Sequence, residues 1–261
     1  MNVMVDCIIQ ARMGSTRFPK KILQKIDSRK TVLEFLISQL KKSNKIKKII
    51  IATTSLSEDD EIVNLCKKLN IMCFRGESKN VLDRYYQCAK YFGSKNIMRI
   101  TSDCPLIDPE LIDEGIEKFQ ENKYDYVENS EGKFPHGVDY CIFKFSELQD
   151  AWKHANLPSE KEHVTPYILK KTNKKKYFNF QSKKDYSKYR ITLDYPEDLK
   201  LLRIIVSGID TRPILLKDII DFLEKNPNLV QINSVHQKDE GYLKSLEEDK
   251  KLVNQFNGDK N

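Results

Sequence analysis

Over its first 120 residues the chain alternates between two hydrophobic periods, and this alternation restricts the fold more than any other feature. Residues 3–9 form an apolar, β-rich run, and residues 31–43 then carry Val32, Leu33, Leu36, Ile37 and Leu40 at helical spacing. Residues 47–54 read as a buried strand, and 57–70 as a helix with Ser57 as N-cap and acids in its first turn. A short strand at 71–76, a helix at 78–92 and a strand at 96–102 follow, and Pro109 opens a helix to about Phe119. Such β-α repetition predicts a mostly parallel sheet with helices on both faces. Ligands of such sheets bind beyond the carboxyl ends of the strands, so the loops after Ile9, Thr53, Phe74 and Thr101 share a candidate edge.

The second half is less regular. Strands are expected at 124–128, 137–145, 176–181 and 189–193, and helices at 146–156, at 160–171 with a break at Pro166, from Pro196, and at 215–226. From about Gln231 the chain is polar, with weak helical character at 240–254. No internal repeat or long linker is present. With 261 residues and 39% apolar content, the chain can bury the core of one large α/β domain, which excludes global disorder.

The formal charge of +7 favours anionic partners, although lysine runs such as Lys41-Lys42, Lys174–Lys176 and Lys183-Lys184 read as solvated faces. The six cysteines include no C-x-x-C pair and mostly sit in apolar surroundings, as expected of reduced thiols in a reducing compartment. No basic leader with a long apolar core opens the sequence, and no apolar run approaches the ~18 residues of a membrane span. The expected location is cytoplasmic.

Three segments can carry chemistry. The first, "IIQARMGSTRFPKK" (8–21), places Arg12, Arg17, Lys20 and Lys21 directly after a strand, with Gly14 permitting close backbone approach. It is neither a Walker A loop nor G-x-G-x-x-G, and reads as a phosphate cradle or a basic surface turn. The second, "ITSDCPLIDP" (100–109), puts Asp103 just after a strand, where it either caps the next turn or binds a cation. The third, "YRITLDYPEDL" (189–199), puts Asp194 after a strand and before Pro196, as an N-cap or a second cation ligand. One cationic loop and two strand-end carboxylates are the ingredients of a Mg²⁺–triphosphate site.

The segments "IIQARMGSTRFPKKIL", "KNVLDRYYQCAK", "RITSDCPLIDPELID", "PHGVDYCIF", "EHVTPYI" and "TLDYPEDL" together resemble the cytidylyltransferases of the spore-coat polysaccharide biosynthesis family. These are similar to the CMP-Kdo and CMP-acylneuraminate synthetases. The resemblance runs from residue 5 to about 225, with a weaker echo in "DEGYLKSLEED" (239–249). It implies a three-layer nucleotidyltransferase fold over residues 1–230 and a polar extension at 231–261. It also implies transfer of CMP from CTP to a sugar acid, sugar phosphate or related anionic acceptor.

By the same resemblance Arg12, Lys21 and Asp103 are catalytic, and backbone amides from Ala11 to Gly14 assist at the triphosphate. Gln10, Met13 and Ser102 join the nucleotide site, and Asp83 and Arg84 approach the nucleoside. Asp103 and Asp194 hold Mg²⁺, while His136, Asp139, Glu162 and His163 contact the acceptor. The family commonly has Gly where Lys20 stands, and alignment on "K-I-L" favours Lys21 as the phosphate lysine. Residues 160–190 are expected to supply a homodimer arm. Neither nucleic acid nor membrane is expected as a partner. Two rival readings are a nucleotide-sugar glycosyltransferase, which lacks its D-x-D motif here, and a nucleic-acid-binding protein, which lacks an aromatic stacking signature.

Overall fold

The computed structural model describes residues 4–121, 123–172 and 176–258; Lys174 and Lys175 of the basic run, residue 3 of the first strand run and residues 259–261 of the extension lie outside the described residues. Seven strands form one sheet in the order β3-β2-β1-β4-β6-β5-β7. They are β1 (Val5–Gln10), β2 (Ile46–Thr54), β3 (Met72–Gly76), β4 (Asn96–Thr101), β5 (Tyr126–Glu128), β6 (Cys141–Lys144) and β7 (Tyr177–Asn179). Pairings β3-β2-β1-β4 are parallel, and β6 alone runs against its neighbours β4 and β5.

Strand alternation divides the core into two layers. Val5, Cys7 and Ile9 of β1 face a layer built with α1 (Val32–Leu40), α2 (Asp60–Leu69), α4 (Pro109–Gln120), α8 (Pro196–Gly208) and α9 (Leu216–Lys225). Ile8, Ile50 and Ile97 face the other, built with α3 (Val81–Phe92), α5 (Phe145–His154) and α7 (Pro166–Lys171). Helices therefore cover both faces, as the alternating periods predict. Two further helices, α6 (Pro158–His163) and α10 (Glu240–Gly258), pack against each other. Among the described residues no helix is long and apolar enough to cross a membrane.

The structure departs from the sequence expectation at several points. Ser57 does not cap a helix: residues Ser57–Asp59 form a short 3-10 turn ahead of α2, and no side chain caps that turn. Residues 189–193 form no ladder strand, only an isolated bridge between Arg190 and His136. The expected strand at 137–145 is confined to β6, because Gly137 turns the chain with φ +116°. A Cβ at Gly137 would lie 2.5 Å from the Thr192 amide nitrogen, so only glycine lets these segments meet.

Candidate active site

The loop after β1 folds back on itself. The Met13 carbonyl accepts from the amides of Ser15 (2.9 Å) and Lys20 (3.2 Å), and a helical turn, Lys21–Leu23, follows. Lys20 takes the left-handed conformation (φ 57°), a backbone state that costs glycine nothing, and its exposed ammonium pairs with Glu61 at 2.8 Å.

Asp59 anchors this loop from behind. Its buried carboxylate accepts from the Met13 amide at 2.7 Å, from the Thr54 amide at 3.2 Å and from the Thr54 hydroxyl. The Ala11 amide is likewise used, donating to the Ala52 carbonyl at 3.2 Å. Of the amides expected to cradle phosphate, those of Arg12 and Gly14 therefore remain without a hydrogen bond among the described residues. Met13 itself is a core side chain, 3% exposed.

A short seam brings Asp103 and Asp194 together. The Leu193 amide (2.8 Å) and Thr192 hydroxyl (3.2 Å) both donate to the Asp103 carbonyl. Lys21 then spans the pair: its Nζ donates to Asp103 Oδ2 (3.2 Å), Asp194 Oδ1 (2.8 Å) and the Leu193 carbonyl (2.6 Å). Burial opposes its charge, but the two carboxylates outweigh burial and raise its pKa. All three of its donors are engaged, so touching a phosphate requires giving one up.

Asp194 is the most heavily compensated carboxylate of the site. Arg17 reaches its Oδ1 at 2.6 Å and Arg190 its Oδ2 at 3.2 Å. Burial alone would raise its pKa; Lys21 and Arg17 instead hold it well below the usual carboxylate range. It does not cap α8. That work falls to Asp198, whose Oδ2 accepts from the amides of Asp194 (2.8 Å) and Tyr195 (3.0 Å). Asp103 is no cap either: Asp108 caps α4, accepting from the Glu110 amide at 2.7 Å.

A cleft of about 640 Å³ opens at this carboxyl edge of the sheet. Gln10, Ala11, Arg12, Gly14 and Lys21 line it from the end of β1 and the first loop, Ser102, Asp103 and Asp194 from the segments beyond, and Arg84 from α3. His136, Glu162 and His163 line the rest, and Arg12 spans to Glu162 at 3.1 Å. Three expected residues do not line it. Met13 is buried, and Asp83 accepts instead from Trp152 (2.8 Å) and Gln87 (3.1 Å). Asp139 accepts from the Gly137 amide at 3.0 Å, and burial raises its pKa.

Sequence reasoning missed several contributors. Asp59 lies in a segment read as a helix, and Arg99, Arg190 and Asp198 lie inside quoted segments in which only Ser102, Asp103 and Asp194 are singled out as site residues. The polar tail supplies Glu240, Tyr242 and Ser245 to the cleft. His163 Nε2 lies 3.1 Å from Ser245 Oγ, and its ring meets Tyr242 edge-on at 5.1 Å. Val164, fully buried, holds φ 70° and ψ −50° while the Thr165 amide donates to the His163 carbonyl at 2.8 Å. This γ-turn is a strained state for a β-branched residue, and it fixes the entry of His163 into the cleft.

Burial, aided by Arg99, pushes the His163 pKa down to about 4. Unfolded histidine titrates near 6.5, so between these values the unfolded chain binds the extra proton. The His163 contribution to stability is therefore complete above about pH 6.5 and is lost as pH falls toward 4. Urea unfolding at pH 7 and pH 5 is expected to show a smaller loss for His163→Gln than for the parent. Equal losses would contradict a neutral His163.

The seven-stranded sheet with a cationic cleft beyond its carboxyl ends matches the α/β fold of a solved cytidylyltransferase. The chain belongs to the cytidylyltransferase family: the family model described as Cytidylyltransferase matches residues 7–244. It is similar to an uncharacterised protein of Methanocaldococcus jannaschii, 43% identical over 235 residues, covering 88% of this chain and 95% of that protein. The spore coat polysaccharide biosynthesis protein SpsF of Bacillus subtilis is 30% identical over 231 residues, covering 85% and 94% respectively. Among solved structures, a cytidylyltransferase from Leptospira borgpetersenii superposes with a TM-score of 0.83 at 33% identity, covering 89% of this chain and 99% of that one.

Proposed function

We propose that the protein transfers CMP from CTP to a small anionic acceptor, a sugar acid, sugar phosphate or relative, releasing pyrophosphate in surface-polysaccharide or glycoconjugate biosynthesis. One observation carries this reading: Lys21 Nζ bridges Asp103 and Asp194 beside the basic loop, at the ligand edge of the sheet. An acceptor oxygen attacks the α-phosphorus, a new P–O bond forms, and the bond to the bridging oxygen breaks as pyrophosphate leaves. Arg12, Arg17 and Lys21 bind the leaving phosphates, Lys21 exchanging one of its present contacts for a phosphate oxygen. The free amides of Arg12 and Gly14 add neutral donors, and Arg84 meets the nucleotide from α3. A carboxylate or phosphate acceptor is already a nucleophile at neutral pH and requires no general base.

Asp103 and Asp194 fit a divalent cation, because both carboxylates already reach one point, the Lys21 ammonium. They would hold Mg²⁺, which when bound offsets negative charge on phosphate oxygens. The same reading expects a homodimer, which light scattering reports directly.

The test is a pyrophosphate-release screen of the four nucleoside triphosphates against sugar acids, sugar phosphates and polyol phosphates, with Mg²⁺ and with chelator. Release is expected with CTP, an anionic acceptor and the metal together. Silence of CTP across the panel, or preference for another triphosphate, would overturn the assignment.

A further inference from the structure

Arg12, Arg17 and Lys21 each face a carboxylate across the cleft. Arg84 and Arg99 line the same cleft, and among the described residues neither forms a salt bridge. Each also leaves its Nε buried without a hydrogen-bond partner. The Arg84 side chain is 1% exposed and satisfies one donor, Nη1, on the Glu77 carbonyl at 2.6 Å. Under the transfer reading the nucleotide supplies the anion that Arg84 lacks. Arg99 has no role in that reading.

Arg99 lies in β4 between Met98 and Ile100, whose side chains enter the opposite core layer. Alternation therefore turns Arg99 toward the α3 and α6 side, where its guanidinium carbon stands 6.0 Å from the Tyr85 ring centroid. Its tyrosine and cysteine neighbours are neutral. Burial pushes the neighbouring Cys141 thiol up to about 11, and burial likewise raises the Tyr85 phenol. The carboxylate that acts on Arg99 is Asp103, already held by Lys21. A cation placed in a wall without its own counter-charge is a standing cost to the fold, and an incoming anion relieves it.

We propose that Arg99 is the specificity-determining residue for the acceptor and binds an oxyanion, carboxylate or phosphate, carried by the molecule that receives the cytidylyl group. This rests on the transfer reading above. The phosphate chain of the nucleotide has its own cations at the first loop. Arg99 lines the cleft together with Glu162 and His163 of α6, and its charge acts on His163. The planar guanidinium fork matches a carboxylate or phosphate with two parallel hydrogen bonds, a geometry a lysine cannot reproduce.

Two measurements test it, one of them independent of any reaction. First, the thermal midpoint of the ligand-free chain is compared with that of Arg99→Met. An unmatched cation predicts a rise of about 2–6 °C, whereas an arginine serving only the fold predicts a fall. Second, CTP binding is followed by calorimetry, and transfer is assayed with a sugar acid, a sugar phosphate and an uncharged sugar. Arg99→Met is expected to raise KM for the preferred anionic acceptor about 10- to 100-fold, with CTP affinity unchanged and kcat affected less. Arg99→Lys is expected to recover only part of that loss. The preferred acid or phosphate names the oxyanion. A fall in midpoint, an unchanged acceptor KM, or a larger effect on CTP than on acceptor would each overturn the proposal. If the parent transfers to nothing while Arg99→Met is stabilised, the transfer reading fails and the oxyanion site stands on the stability result.

Discussion

Lys21→Ala is expected to slow pyrophosphate release at least about a hundredfold, roughly 3 kcal/mol of lost transition-state stabilisation. Lys21 is 12% exposed at the side chain and touches both Asp103 and Asp194, so it occupies the centre of charge of the site. Its removal takes away a phosphate donor. It also leaves two carboxylates facing each other, with Arg17 and Arg190 compensating Asp194 only. Lys20→Ala is the natural contrast. That side chain is 60% exposed and pairs with Glu61 on the surface, so its loss should leave turnover within about twofold. Steady-state pyrophosphate release with the acceptor identified by the screen measures both, and circular dichroism confirms that each variant is folded. Parent-like turnover in Lys21→Ala, or equal losses at the two lysines, would remove Lys21 from the chemistry.

The second large effect lies outside direct contact with substrate. Asp198→Ala should lower the free energy of unfolding by about 3–5 kcal/mol, the range for breaking a buried ion pair. The Asp198 side chain is fully buried and accepts from Arg190 Nε (2.9 Å) and Nη2 (3.0 Å), from the amides of Asp194 and Tyr195, and from Asn233 Nδ2 at 2.8 Å. Removing it strands the Arg190 guanidinium and two amides at the start of α8. Burial raises the Asp198 pKa and these donors outweigh burial, so its folded value lies below the ordinary one. Its contribution is therefore present above about pH 4 and disappears only in acid. Urea unfolding at neutral pH is the measurement. A loss below about 1 kcal/mol would mean that Arg190 and Asn233 find other partners. Because Arg190 also reaches Asp194 and lies 3.3 Å from His136 Nδ1, activity should fall together with stability.

Local patterning carried the fold a long way. The β-α alternation located strands β1 to β4 and predicted their parallel pairing, since hydrophobic period is a local property. It weakened where the chain left that period. The Arg190–His136 bridge depends on Gly137 at φ +116°, and the short stretch around it has no periodicity to read. Ser57 is no cap because α2 begins only at Asp60, and Asp59, at the N-cap position, is drawn to the Met13 amide of a different loop. Asp83 looked poised for the nucleoside, yet Trp152 of α5 holds it at 2.8 Å. Each of these outcomes was decided by a partner far away in sequence.

The candidate site divides along the same line. The sequence by itself determined which groups lie at the carboxyl edge: a cationic loop after one strand, and Asp103 and Asp194 after two later segments. Strand direction and chain order suffice for the loop and for Asp103, whereas Asp194 follows a segment that pairs only through the Arg190–His136 bridge. Only the tertiary structure decided which groups meet. The Leu193–Asp103 seam set the two aspartates around Lys21, and Asp59 drew the Met13 amide out of the phosphate cradle. The polar tail, only weakly helical by its sequence, became the helix whose Glu240 and Ser245 help wall the cleft. The unpaired Arg99 could not be recognised without seeing its neighbours, because an ion pair, or the lack of one, is a relation between distant residues.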